Sequence, residues 1–526
     1  MSHGLVWFKR DLRIIDHAPL WHASKNGRLT CAYFIEPSLW ACHDAATQHY
    51  RFILESLQDL RTDLARLGLR LHVLTGEATD CLKRIHERQP IDVIHSHEET
   101  GNGHTYARDK AVRRWCKERD IDWYEYRQFG VTRGTHNRDR WKSAWESHCQ
   151  KPLTAPVQQA QDSGLGAGPI GNPMDGLQTA HTEIPTAESL GLDPHDPPDR
   201  QRGGRQRALA TLEDFLNERS RQYRGGISSP LSAPTACSRV SAYLSYGCLS
   251  MREVYQATQH ALATLGPHER RQSLGLQSFV SRLYWHCHFI QKLEDEPELE
   301  LRNIHRGYDG LREQDWNEAH FEALKSARTG WPLVDACVVM LRQTGWLNFR
   351  MRAMLVSVAA YPLWLHWTRV GHWLATQFLD YEPGIHWSQM QMQSGTTGIN
   401  VPRIYNPIKQ AQDHDPTGRF VRHWLPHMRQ VPDTWLLEPW QMPANLQQSV
   451  GVTLGQDLPM PIVDYARATR EAKQRLFERR AQPQVKAAKP AIVKKHGSRK
   501  RLETGLTGAR AVRTKPIDTN QLTLDF

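Results

Sequence analysis

Two stretches decide how this chain is read: TGWPLVDACVVMLRQTGWLNFRMRAMLVSVAAYPLWLHW, residues 329–367, and FLDYEPGIHWSQMQMQSGTTGINVPRIYNP, residues 378–407. Their periodicity predicts helices. Trp331, Trp346, Trp364, Trp367, Trp373 and Trp387 lie close in sequence to Arg350, Arg352, Asp380 and Glu382. An ordinary apolar core has little use for that mixture. Tryptophans set among arginines and carboxylates predict helices wrapped around a large, flat, polar aromatic ligand.

The surrounding chain bounds the answer. At 526 residues it exceeds the usual single domain, so at least two are expected. The longest apolar run, residues 354–367, is broken by Pro362 and His366 and is too short to span a bilayer. Lys9, Arg10, Asp11 and Arg13 stand where an export signal would be apolar, so a cytoplasmic protein with no membrane partner is expected. The nine cysteines are scattered, without a CxxC pair or a histidine at zinc spacing. The net charge of +11 favours a polyanionic partner, but it is unevenly placed: from Val485 onward ten basic residues face three acidic ones. That leaves the folded body only mildly basic.

Toward the N-terminus, residues 4–9, 30–36, 69–76, 91–98 and 122–131 read as strands. Residues 50–67 between them carry a helical stripe of Phe52, Leu54, Leu57, Leu60, Leu64 and Leu67. Strand–helix alternation predicts an α/β doubly wound parallel sheet over residues 1–133, with ligands beyond its carboxyl edge. Residues 134–200, rich in Gly, Pro, Ala and Gln, read as a linker. From 201 the period is helical, predicting an all-α domain to about 480, followed by a basic, structureless tail over 481–526. Arg202, Arg205, Arg207, Arg219, Arg221 and Arg224 open that domain; they read as a solvated face, with phosphate contacts as the alternative.

Several phrases resemble the photolyase/cryptochrome family. WFKRDLRIIDHAPL after the first strand is similar to the family's W-F-R-R-D-L-R-x-x-D-N, with Lys9 for arginine and His17 for asparagine. Taken alone, this charged turn would pair with itself and cap a helix. CSRVSAYLSYGCLSMR, residues 237–252, resembles the family's flavin pyrophosphate loop. The physics is general, because a Ser-rich turn entering a helix offers free N–H groups to phosphate; a plain capping loop is the other reading. The resemblance assigns FAD to Tyr223, Ser238, Arg239, Val240 and Ser241, to His286, to an Arg352–Asp380 ion pair, to Glu382 at the ring's imide edge, and to His386 near N5. A guanidinium beside the flavin would favour the reduced, anionic ring.

Other positions depart from the family. Trp285 keeps the tryptophan that packs on a thymine dimer, but Arg282 replaces the lesion-contacting glutamate, and arginine can only donate. Met390 and Met392 occupy the region of two family tryptophans, one of them the start of the electron relay. Trp367 and Trp316 stay in matching places, and Trp387 is the candidate substitute. Asn348 stands where the branch repairing 6–4 photoproducts has histidine. The four-cysteine iron–sulfur pattern of one bacterial branch is not matched by Cys237, Cys248, Cys287 and Cys337, and no metal is expected.

The function implied is a monomeric DNA photolyase that uses FAD and light to split cyclobutane pyrimidine dimers in UV-damaged DNA, with a preference for single strands. A cryptochrome-like photoreceptor is the alternative. A second antenna chromophore (folate, deazaflavin or flavin) is left open. QLTLDF, Gln521 to Phe526, resembles the peptide by which bacterial repair proteins dock on the sliding clamp; otherwise the basic tail would hold DNA non-specifically.

Overall fold

The structure, a computed structural model, describes residues 2–25, 27–134, 138–165, 184–399 and 401–497; the QLTLDF peptide lies outside them. The expected strands form: β1 (Ser2–Phe8), β2 (Gly27–Ile35), β3 (Leu71–Thr75), β4 (Val93–His97) and β5 (Asp122–Tyr126). All pair in parallel, in the order β3-β2-β1-β4-β5. The near-continuous burial of β1 and β2 is what helices on both faces of a parallel sheet require. Helix Thr47–Arg66 supplies one cover, burying Phe52, Leu57, Leu60 and Leu64.

The segment read as a linker is more structured than its composition suggests. Helix Trp141–Gln150 buries Trp141, Trp145 and Cys149, with the Trp145 ring 5.4 Å from Tyr284 and 5.6 Å from Tyr255. A short strand, β6 (Gln161–Asp162), then joins the start of β2. Tryptophans too sparse to make a stripe provide the anchor.

From Arg205 onward the described residues form helices, with no named strand among them. The 26-residue helix Arg270–Asp295 is the spine, packed against helices Ser220–Gly226 and Pro383–Ser394. The arginines before it are not the solvated face expected throughout. Arg205 is buried and ion-paired with Glu253, while Arg202 pairs with Glu55 of the sheet domain. Their carboxylate partners lie far off in sequence. The tail also begins later than expected, because helix Pro483–His496 docks through buried Val485 and His496.

The charged turn after β1 fastens the two domains. His17 does cap a helix, accepting from Leu20 N–H, and Asp11 accepts from the Lys9 N–H and from both His17 and His97. Arg10 and Arg13, however, donate to the carbonyls of Ser245 and Gly247, and Leu12 N–H donates to that of Tyr246. Gly247, at φ +68°, is required there, since a Cβ would stand 2.2 Å from the Arg10 carbonyl oxygen.

Candidate functional site

Helix Pro332–Thr344 stops at Gly345, whose left-handed φ of +64° makes a glycine C-cap. The carbonyl of Gly345 accepts from Leu379 N–H, which sets Asp380 opposite helix Phe349–Ala360. Arg352 on that helix then meets Asp380 end-on, Nη1 to Oδ1 at 2.9 Å and Nη2 to Oδ2 at 3.1 Å, while its Nε donates to the Leu347 carbonyl at 2.6 Å. Burial alone would raise the Asp380 pKa. The Arg352 charge and hydrogen bonds from Arg352 and Ser241 outweigh it and hold the carboxyl below its ordinary value.

Ser241 thereby ties the Ser238–Ser241 turn to the ion pair. Arg239 in that turn sits at φ +58°, an unusual conformation for arginine. Its guanidinium lies 4.0 Å from the Trp346 ring centroid and donates to Gln201 Oε1. Burial presses its pKa down to about 10. Val240 is buried beside it, and Arg219 braces the turn by donating to the carbonyls of Cys237 and Ser238. Arg219 as a backbone brace was not legible in the sequence.

Three further polar groups surround this space. Glu382, the N-cap of helix Pro383–Ser394, is ion-paired with Arg10, Nη2 to Oε2 at 2.9 Å, with the Gly384 N–H as a further donor. Burial pushes it up to about 7. His286 Nε2 is buried without a partner, and burial, with Arg10, lowers the ring's pKa to about 4. His386 is likewise held neutral, at about 4, by burial; its Nε2–H donates to the Gly371 carbonyl at 2.9 Å, which leaves Nδ1 as the acceptor. Buried acceptors left open beside an arginine–carboxylate pair fit a ligand that brings its own donors.

Other expected residues are placed differently. Arg282 sits with Tyr223, whose buried hydroxyl it hydrogen-bonds; Tyr223 packs against Phe215 and Phe279. Trp285 is half-buried on the spine helix, edge-on to His288 at 4.9 Å and 5.7 Å from Phe289. Met390 is buried and Met392 half-buried at the end of helix Pro383–Ser394. Trp387 lies one turn earlier, edge-on to Trp367 with centroids 5.8 Å apart. Gly371 makes room for it, because a Cβ there would come within 2.4 Å of Trp387 Cζ3. Trp316 packs instead on Phe321 and under Arg369. Asn348 donates to the carbonyls of Ile227 and Ser228 and keeps a buried Oδ1 without a partner.

Two family models match the chain, "DNA photolyase" over residues 4–131 and "FAD binding domain of DNA photolyase" over residues 279–478. The chain belongs to the photolyase/cryptochrome family. Within the family it is 28% identical to a cryptochrome DASH of Gloeobacter violaceus, over 88% of this chain and 93% of that one. It is 26% identical to a (6-4)DNA photolyase of Arabidopsis thaliana, over 91% and 88%. The archaeal photolyase of Sulfolobus tokodaii, solved with two FAD molecules, shares the fold with a TM-score of 0.72 at 23% identity, covering 91% of this chain and all of the other. Family membership carries FAD as the cofactor. Relatives named as repair enzymes and as cryptochromes leave the specific activity to the site itself.

The carboxyl edge of the sheet holds a second crevice, at the point between β1 and β4 where the strand order reverses. Trp7, Phe34, Trp40 and Ile53 line it with Glu36, Glu99 and Arg108, and Tyr381 and Pro383 close it from the helical domain. Arg108 is ion-paired with Glu36, Glu99 and Asp109. No described helix is long and apolar enough to cross a membrane.

Proposed function

We propose that this protein is a light-dependent repair enzyme that splits cyclobutane pyrimidine dimers in DNA. One observation carries the reading: on a single helix, Trp285 offers a half-buried aromatic surface and the next residue, His286, turns an open buried nitrogen toward the Arg352–Asp380 space. A stacking platform and a cofactor cradle on adjacent residues are what electron transfer to an extruded base pair needs.

Arg352, Asp380, Glu382, His286, His386 and the Ser238–Ser241 turn would hold FAD, with Tyr223 as part of the wall. Bound there in its reduced form, FAD would supply light-driven, reversible electron transfer to the dimer. Asp380 fixes Arg352, which stabilises negative charge beside the ring. His386 stays neutral and offers an acceptor at Nδ1. Trp285 stacks on the dimer, while Met390 and Met392 form a softer opposite wall than two tryptophans would. Arg282, engaged by Tyr223, leaves the lesion without a carboxylate acceptor. A pocket with fewer rigid contacts contributes less toward unstacking a duplex, which costs a few kcal/mol, roughly, and favours single-stranded substrate. Trp387 and Trp367, in edge contact, form the first two members of a relay toward the flavin. The crevice at the sheet edge is the place for a second chromophore.

The test is illumination of the FAD-loaded protein with UV-irradiated oligonucleotides, followed by dimer analysis. Light-dependent loss of dimers is expected, faster on single strands. The second reading, a blue-light photoreceptor without repair, is favoured by Arg282 and the two methionines; it would give flavin photochemistry with no dimer loss on either substrate.

A further inference from the structure

Helix Tyr465–Ala481 docks one face inward. Thr469, Ala472 and Leu476 are buried, and Leu476 reaches the turn after Met392: a Cβ on Gly395 would stand 3.4 Å from Leu476 Cδ2. The helical period of 3.6 residues then separates the remaining side chains into two flanks. On one flank lie Glu471, Gln474, Glu478 and Arg475, and their charges are taken up locally. Arg467 pairs with Glu471, Gln474 donates to Glu478, and Arg475 pairs with Asp315. On the other flank Arg470, Lys473, Phe477 and Arg480 fall within about one-quarter of the helix circumference.

Among the described residues this second flank is little engaged: Arg480, half-buried, lies near the Tyr308 hydroxyl, while Arg470 and Lys473 are exposed. Arg470, Lys473 and Arg480 have no ion-pair partner among the described residues. Phe477 stands 48% exposed one turn from Lys473 and three residues from Arg480. An exposed aromatic ring set among cations suits a strand whose bases stack while its phosphates are neutralised. Duplex DNA hides its base faces and would leave the phenyl ring unused. The family model ends at residue 478.

We propose that Arg470, Lys473, Phe477 and Arg480 form a single-stranded DNA contact, separate from the lesion pocket, that holds undamaged strand beside the wall made by Met390 and Met392. It rests on the reading of the chain as a DNA repair protein, and its test needs neither light nor a lesion, so the two fail separately. Binding of the FAD-loaded full chain to an undamaged, fluorescently labelled oligothymidine is measured in the dark over a series of salt concentrations. Arg470→Ala/Lys473→Ala/Arg480→Ala is expected to lower the slope of log affinity against log salt by about 2, from three lost phosphate contacts. Phe477→Ala is expected to weaken binding about tenfold with the slope unchanged. Gln474→Ala, on the other flank, is the control, and flavin content and melting temperature report folding. Wild-type affinity and slope in the triple variant overturn the proposal. Equal losses for duplex and single strand, with Phe477→Ala silent, overturn the single-strand assignment.

Discussion

Two regions of the helical domain are built by different rules. Around Asp380, the Arg352 guanidinium, Ser241 and the Leu347 carbonyl form a closed set in which each charge is met by an opposite charge or an aligned dipole. Elsewhere in the domain Met390 is buried in the core, Met392 and Trp285 are half-buried, and Arg282 is hydrogen-bonded to Tyr223. A buried ion pair tolerates little substitution, because removing one partner strands the other. Thioether packing tolerates much more. In the proposed function the first region would hold the cofactor and the second would meet the substrate.

The strongest way to break this comparison is Asp380→Ala, which leaves Arg352 without its partner. A loss of about 3–5 kcal/mol is expected, seen as protein purified with little flavin absorbance. Next in size is the pH dependence at Glu382. Its carboxyl is raised by burial from 4.5 to about 7 in the folded protein, so between those values the folded state binds more protons than the unfolded one. Stability of the flavin-free protein therefore falls as pH rises from 4.5 to 7, by an amount on the order of 3 kcal/mol from this group. Denaturant titrations of Glu382→Gln across that range should show a flatter dependence than the parent. Trp285→Ala should cost about 1–3 kcal/mol in affinity for dimer-containing oligonucleotide while flavin content is retained, which separates the two regions directly. Trp387→Phe keeps the packing against Trp367 and Gly371 at a cost of roughly 1 kcal/mol in stability. Slower photoreduction of oxidised FAD, followed by absorbance under steady light, is its expected signature.

The architecture was largely legible because it is local. Alternating strands and the stripe from Phe52 to Leu64 announce their elements within a few residues. The Arg352–Asp380 pair was legible only through resemblance, since nothing in the spacing says that a helix and an extended joint will face each other. Arg205 and Arg219 read as solvated because their partners, Glu253 and the carbonyls at Cys237 and Ser238, become neighbours only on folding. Arg10 read as part of a self-pairing turn, while its partners Glu382 and Ser245 lie in the other domain. Helix Pro483–His496 escaped notice because a basic stretch with an internal proline lacks an apolar stripe, and its docking relies on two residues at opposite ends.

The most direct test of the account is dimer repair by the FAD-loaded protein, measured side by side on single-stranded and duplex DNA in light and in darkness. Light-dependent loss of dimers, faster on the single strand and absent in the dark, is the expected result. No light-dependent loss on either substrate, from protein that carries its flavin, would contradict it.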